Sequence, residues 1–170
     1  MKKWGVLPLL IALLVLTAGC PVPVVAPEPE EPAEEITAAL SPVKGWLKLE
    51  LSLPRVTYQP GEMLRARLSL INTTPEAISV STRTSQLFDL IIQGHGLSGR
   101  ILWSKEKVFL PVITPYHIPA GERLFDVLSW KIDLIPGEVE LIGLAELIDL
   151  NGERILLKTT PLRIRVEGAS

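Results

Sequence analysis

Apolar and polar residues alternate with a period of two in four separate stretches of this 170-residue chain. Leu47, Leu49, Leu51 and Leu53 are interleaved with Lys48, Glu50 and Ser52. Leu64, Ala66, Leu68 and Leu70 alternate with Arg65, Arg67 and Ser69, and Ile78 and Val80 with Ser79 and Ser81. Near the C-terminus, Leu162, Ile164 and Val166 alternate with Arg163 and Arg165. A strand turns successive side chains to opposite faces, so each pattern predicts a half-buried strand. Predominantly apolar runs at Leu87–Gln93, Ile101–Trp103, Leu124–Ile132 and Val139–Ile148 add more. Turn chemistry separates them at Pro60-Gly61, Asn72–Glu76, Gly94–Gly99, Pro119–Gly121, Pro136-Gly137 and Asn151-Gly152. The last predicts a hairpin with a type I′ turn, in which both central residues take positive φ. Periodicity alone also allows a helix over Leu141–Leu150, but the flanking Pro136-Gly137 and Asn151-Gly152 bracket a strand-sized length. About eight or nine short strands at this spacing predict an all-β domain over residues 44–167, an antiparallel immunoglobulin-like β-sandwich.

The first 43 residues break this pattern. Lys2 and Lys3 precede an uncharged, mostly apolar run from Trp4 to Gly19. It is short for a transmembrane helix and suits the apolar region of a secretory leader. It ends in Leu16-Thr17-Ala18-Gly19-Cys20, which resembles the bacterial lipobox, with Thr17 where Leu is commoner. The expectation is a leader over residues 1–19 and a lipid-anchored Cys20 outside the cytoplasmic membrane, on the outer surface or in the periplasm. Residues 20–43 then read as a linker, because Pro21–Glu35 holds five prolines and five glutamates and has little to bury.

Composition narrows the chemistry. Hydrophobic residues make up 47% and charged residues 21% of the chain, as in a globular protein, and the net charge of −2 offers no footprint for nucleic acid. A single cysteine excludes an internal disulfide framework and any multi-cysteine zinc site. His95 and His117 lie in separate segments without metal-ligand spacing, so no metal is expected. The Ser in His95-Gly96-Leu97-Ser98-Gly99 lacks the spacing of a nucleophile elbow. No phosphate-binding or dinucleotide loop occurs. The chain is therefore expected to be a binding protein without a cofactor rather than an enzyme.

A set of ordered motifs gives this expectation content. Tyr58-Gln59-Pro60-Gly61-Glu62 leads into the Leu64–Leu70 strand and Asn72-Thr73. Ser85-Gln86-Leu87-Phe88-Asp89-Leu90 follows, then Trp103-Ser104 with Phe109 five residues after the serine. Pro119-Ala120-Gly121-Glu122 leads to Trp130, and Pro136-Gly137 to Gly143. From Tyr58 to about Ile148 the chain resembles the BsuPI family of bacterial intracellular proteinase inhibitors. Glu138-Val139 stand where that family has an aromatic residue. Phe88, Trp103, Phe109 and Trp130 are expected between the sheets. Gln86 and Asp89 are expected to serve the scaffold, Asp89 through a donor that pairs it.

The resemblance implies inhibition of a subtilisin-like serine protease. The export signal places such a target outside the cytoplasm. The alternative is an envelope module that binds another surface protein without inhibiting it. For an inhibitor, Leu110–Pro119 is the expected reactive segment, with Val112, Ile113, Tyr116, His117 and Ile118 as the contacting residues. Its three prolines stiffen an extended backbone. The same residues also suit an edge strand packed inward, and Gly94–Gly99 is the next candidate loop.

Overall fold

The computed structural model describes the backbone of residues 36–39 and the whole of residues 45–168. The expected leader, Cys20 and most of the expected linker lie outside the described residues. The chain runs through β1 (Ile36–Ala39), β2 (Leu47–Leu53), β3 (Thr57–Tyr58), β4 (Met63–Asn72), β5 (Ile78–Thr82) and β6 (Phe88–Gly94). It continues through β7 (Ile101–Leu102), a 3-10 turn at Trp103–Glu106, β8 (Thr114–Ile118), β9 (Arg123–Lys131), β10 (Gly137–Ile148), β11 (Arg154–Lys158) and β12 (Leu162–Val166). One sheet has the order β1-β2-β4-β9; the other is built around β10, with the path β3-β12-β10-β5-β8 and with β6, β7 and β11 attached. All pairings are antiparallel except β3 with β12. The described residues thus form an antiparallel two-sheet β-sandwich.

The period-two leucines explain the core. Leu47, Leu49, Leu51 and Leu53 of β2 and Leu64, Ala66, Leu68 and Leu70 of β4 are all fully buried. They join Leu90 and Ile92 of β6 and Val139, Leu141, Ala145 and Leu147 of β10 in one cluster. Aromatic rings contribute less than expected. Phe88 is buried, but Trp103 and Trp130 are only partly covered and pack at the cluster's margin, and Phe109 is not part of it. Tyr58 is instead a large fully buried side chain, with the Arg55 guanidinium 4.5 Å above its ring.

Over residues 44–167 the described residues form eleven strands rather than eight or nine, because of interruptions that composition does not mark. β11 pairs with one half of β10 (Leu144 opposite Lys158) and β12 with the other (Leu141 opposite Leu162). They are two parts of one strand, with Thr159, Thr160 and Pro161 facing only Ile142 and Gly143. The extra residue is a bulge, and it shifts the buried parity from Ile155 and Leu157 to Ile164 and Val166. Pro161 has no amide to offer the ladder, which suits it to this break. β5 and β6 likewise both pair with β10, at Ser81–Ile148 and Phe88–Ala145. β1 pairs with β2 inside the stretch expected as linker, so the paired region begins before residue 44.

Gly143 sits opposite the bulge. A Cβ there would lie 2.3 Å from Leu68 Cδ2 of the facing sheet and 3.1 Å from Thr159 Cγ2. The sheets approach more closely here than a side chain allows. The β10–β11 hairpin differs from the expected two-residue turn: Asp149 N–H donates to Glu153 O and Gly152 N–H to Asp149 O, which leaves a three-residue loop. Gly152 closes it at φ +80°, the left-handed residue of a bulged hairpin.

Candidate partner-binding loop

Between β7 and β8 the chain leaves the sheets and is tied back at both ends. The first tie is Asp89, on the outward face of β6. Its Oδ1 accepts from the amides of Leu90 (2.8 Å) and Ser104 (3.1 Å), and its Oδ2 accepts from Ser104 Oγ (2.6 Å). Asp89 is nearly buried, and these donors compensate its lost hydration. It has the scaffold role expected from sequence, and it joins two motifs 15 residues apart. The second tie is Ser85: its amide donates to Leu110 O and its Oγ accepts from Leu110 N–H, both at 3.0 Å. Gln86 acts locally, donating to Phe88 O.

Trp103 is the support between these ties. Its indole N–H donates to Ser129 O of β9 at 2.9 Å. Lys107 Nζ lies 4.1 Å from the indole centroid, and the Phe109 ring stands 6.3 Å away at a tilt of 43°. The bond to Ser129 also closes part of the open edge of β9, the last strand of its sheet. Two residues along, Val127 N–H is taken by the carboxylate of Asp126 (2.7 Å). A cleft of about 720 Å³ adjoins Trp103, lined on its apolar side by Leu97, Trp130, Leu134 and Ile135.

The span held this way is strongly apolar and open to solvent. Val108 is 97% exposed, Leu110 64%, Val112 48% and Ile113 75%. Four large apolar side chains within six residues, on a backbone held at Ser104, at Leu110 and by β8 from Thr114, make a surface suited to another protein.

The residues expected from sequence divide into two groups. Val112 and Ile113 belong to the exposed span. Tyr116, His117 and Ile118 do not: they lie in β8, paired to β5 with Tyr116 opposite Val80 and Ile118 opposite Ile78. Tyr116 packs at the margin of the core, and Ile118 is fully buried. The carbonyls of Ile118 and Pro119 are held by the side chain of buried Asn72, each at 3.0 Å. His117 is exposed, with its Nδ1 3.3 Å from Ser79 Oγ. The segment thus follows the inward-packed edge-strand alternative from Thr114 onward, and Ile118 has no surface to present. In Gly94–Gly99, Leu97 packs against the core. Sequence reasoning missed Val108 and the outward role of Leu110. The available signal was the aperiodic apolar run Val108–Leu110 beside the Trp103-Ser104 and Phe109 motif.

The fold and the tied loop define a class, an all-β domain that displays an exposed apolar segment. The sequence profile of the intracellular proteinase inhibitor family, BsuPI, matches residues 51–144. The chain belongs to that family. A comparison with curated protein sequences finds no match. Among solved structures, the chain is similar to the sporulation control protein Spo0M of Bacillus subtilis, with 20% identity, TM-score 0.42, and coverage of 72% of this chain and 50% of that one. It is also similar to the alkylpurine DNA glycosylase AlkC of Pseudomonas fluorescens, with 16% identity, TM-score 0.42, and coverage of 71% and 30%. For the β-glucosidase of Listeria innocua the values are 13% identity, TM-score 0.38, and 72% and 16% coverage. The chain therefore spans half or less of each of these three proteins.

Proposed function

We propose that this chain is a proteinase-inhibitor-like binding protein that presents Lys107–Ile113 to the cleft of a subtilisin-like serine protease. The observation that carries the reading is the exposed apolar span held by Asp89 at Ser104, by Ser85 at Leu110 and by the β5–β8 pairing from Thr114. A loop already ordered in its bound form loses little conformational entropy on association and resists the distortion that cleavage requires. Protease clefts bind extended peptide through backbone hydrogen bonds and side-chain pockets. Membership of the inhibitor family supports the same direction. The sequence features Lys2-Lys3, the apolar run and Cys20 support a position outside the cytoplasmic membrane, with Cys20 acylated.

The test is titration of the purified full chain against subtilisin-type proteases with a small peptide substrate. Saturable loss of activity at near-stoichiometric inhibitor, with the chain left intact, is expected. Full protease activity at about 10 μM chain, well above ordinary inhibitor dissociation constants, would overturn the reading. For the anchor, mass spectrometry of the membrane fraction should find a mature chain beginning at a diacylglyceryl-modified Cys20. Retention of residues 1–19 or an unmodified Cys20 would refute it.

A further inference from the structure

Resting on that inhibitor reading, we infer that Val108 is the side chain that enters the primary specificity pocket of the target. The target protease therefore selects a small branched aliphatic residue. Two independent observations single out this position. The first is the direction of the side chains. Lys107 and Phe109 both fold back onto Trp103, at 4.1 Å and 6.3 Å from its ring. Val108, between them, points away and is 97% exposed.

The second is the state of the backbone. A protease cleft pairs with the residues around the scissile bond as with an added strand, which requires free amides and carbonyls. Lys107 N–H is already donated to Ser104 O, and both backbone groups of Leu110 are held by Ser85. Val112 N–H is donated to Leu110 O, and Pro111 has no amide to give. From Thr114 the chain is paired to β5. Among the described residues no hydrogen bond engages the backbone of Val108 or Phe109. Ile113 is the remaining exposed competitor, but it adjoins the paired strand on one side and the Leu110–Val112 turn on the other.

The chemistry of Val108 then restricts the pocket. A short apolar branch fills a shallow apolar site, whereas a pocket with a charge at its base would be left with that charge unpaired. A deep pocket for an aromatic ring would be left partly empty.

The experiment measures inhibition constants of the full chain and its Val108→Ala, Val108→Phe, Val108→Asp and Ile113→Asp variants. The panel holds three serine proteases, with preferences for small aliphatic, large aromatic and basic residues. The original chain should inhibit the first best. Val108→Ala should weaken that inhibition by about 10- to 200-fold, and Val108→Asp should abolish it. Val108→Phe should shift preference toward the aromatic-selective enzyme, and Ile113→Asp, at the far end of the same span, should weaken inhibition less than Val108→Asp. Both positions are exposed, so unchanged thermal midpoints will certify the fold of each variant. Inhibition by the original chain that survives Val108→Asp, or that is lost only with Ile113→Asp, would overturn the assignment and leave the inhibitor reading standing. No inhibition of any enzyme by the original chain would remove the inhibitor reading itself.

Discussion

The bond between Asp89 and Ser104 is one of the ties that hold the exposed loop, and its strength can be measured. At 2.6 Å, the Ser104 hydroxyl donates to a nearly buried carboxylate, and the same residue's amide donates to the other oxygen. Hydrogen bonds to charged groups contribute about 1.5–3 kcal/mol, roughly twice a neutral bond. Ser104→Ala removes the hydroxyl and leaves the amide bond in place. Asp89→Ala removes the acceptor carboxylate. A double-mutant cycle in urea should return a coupling energy of about 1.5–3 kcal/mol between the two positions. Hydrogen exchange should show the hydrogen-bonded amides of Lys107 and Leu110 losing protection in both single variants, while the buried strands β2 and β4 keep theirs. Additivity within about 0.5 kcal/mol, or equal loss of protection throughout the domain, would refute the idea that this pair specifically orders the loop.

Gly143→Ala would place its methyl 2.3 Å from Leu68 Cδ2, and this overpacking should cost about 1–3 kcal/mol in chemical denaturation; an unchanged midpoint would show that the sheets can separate there. Asn72→Ala leaves the carbonyls of Ile118 and Pro119 without their shared donor, so a loss of about 1–3 kcal/mol is expected in the same assay. Glu62 is held below the ordinary glutamate value of 4.5, chiefly by the Gln59 amide with Arg55 assisting, and Glu140 by Gln93 and then Arg163. A carboxylate depressed on folding stabilises the native state above its unfolded pKa and loses that contribution as pH falls through the folded value. NMR titration should therefore place both midpoints below 4.5, and midpoints at or above it would contradict these contacts.

The sheets were legible because leucine alternation is a local signal that the core reads directly: every expected inward leucine of β2 and β4 is buried. The strand count was less legible. A bulge changes the phase of burial without changing composition, and only the shift between Leu157 and Ile164 records it. The loop was harder still. Its ties join residues 15 and 25 positions apart and have no periodicity. Pro111, Pro115 and Pro119 suggested one continuous stiff segment, yet β8 uses Thr114–Ile118 as an edge strand, with Pro115 opposite Ser81. The motifs had already placed Asp89, Ser104 and Phe109 in order along the chain. What they lacked was the geometry that turns Phe109 back onto Trp103 and leaves Val108 outside.

The indole bond to Ser129 has a consequence beyond the loop. β9 is a nine-residue border strand with exposed Phe125 and Val127, the kind of margin along which identical domains zip together into polymers. Trp103 occupies a carbonyl on that margin, and Asp126 occupies an amide. One side chain thus supports the displayed loop and removes one of the free carbonyls that a neighbouring strand would need. Damage to the loop's support would then surface as self-association as well as disorder in the loop.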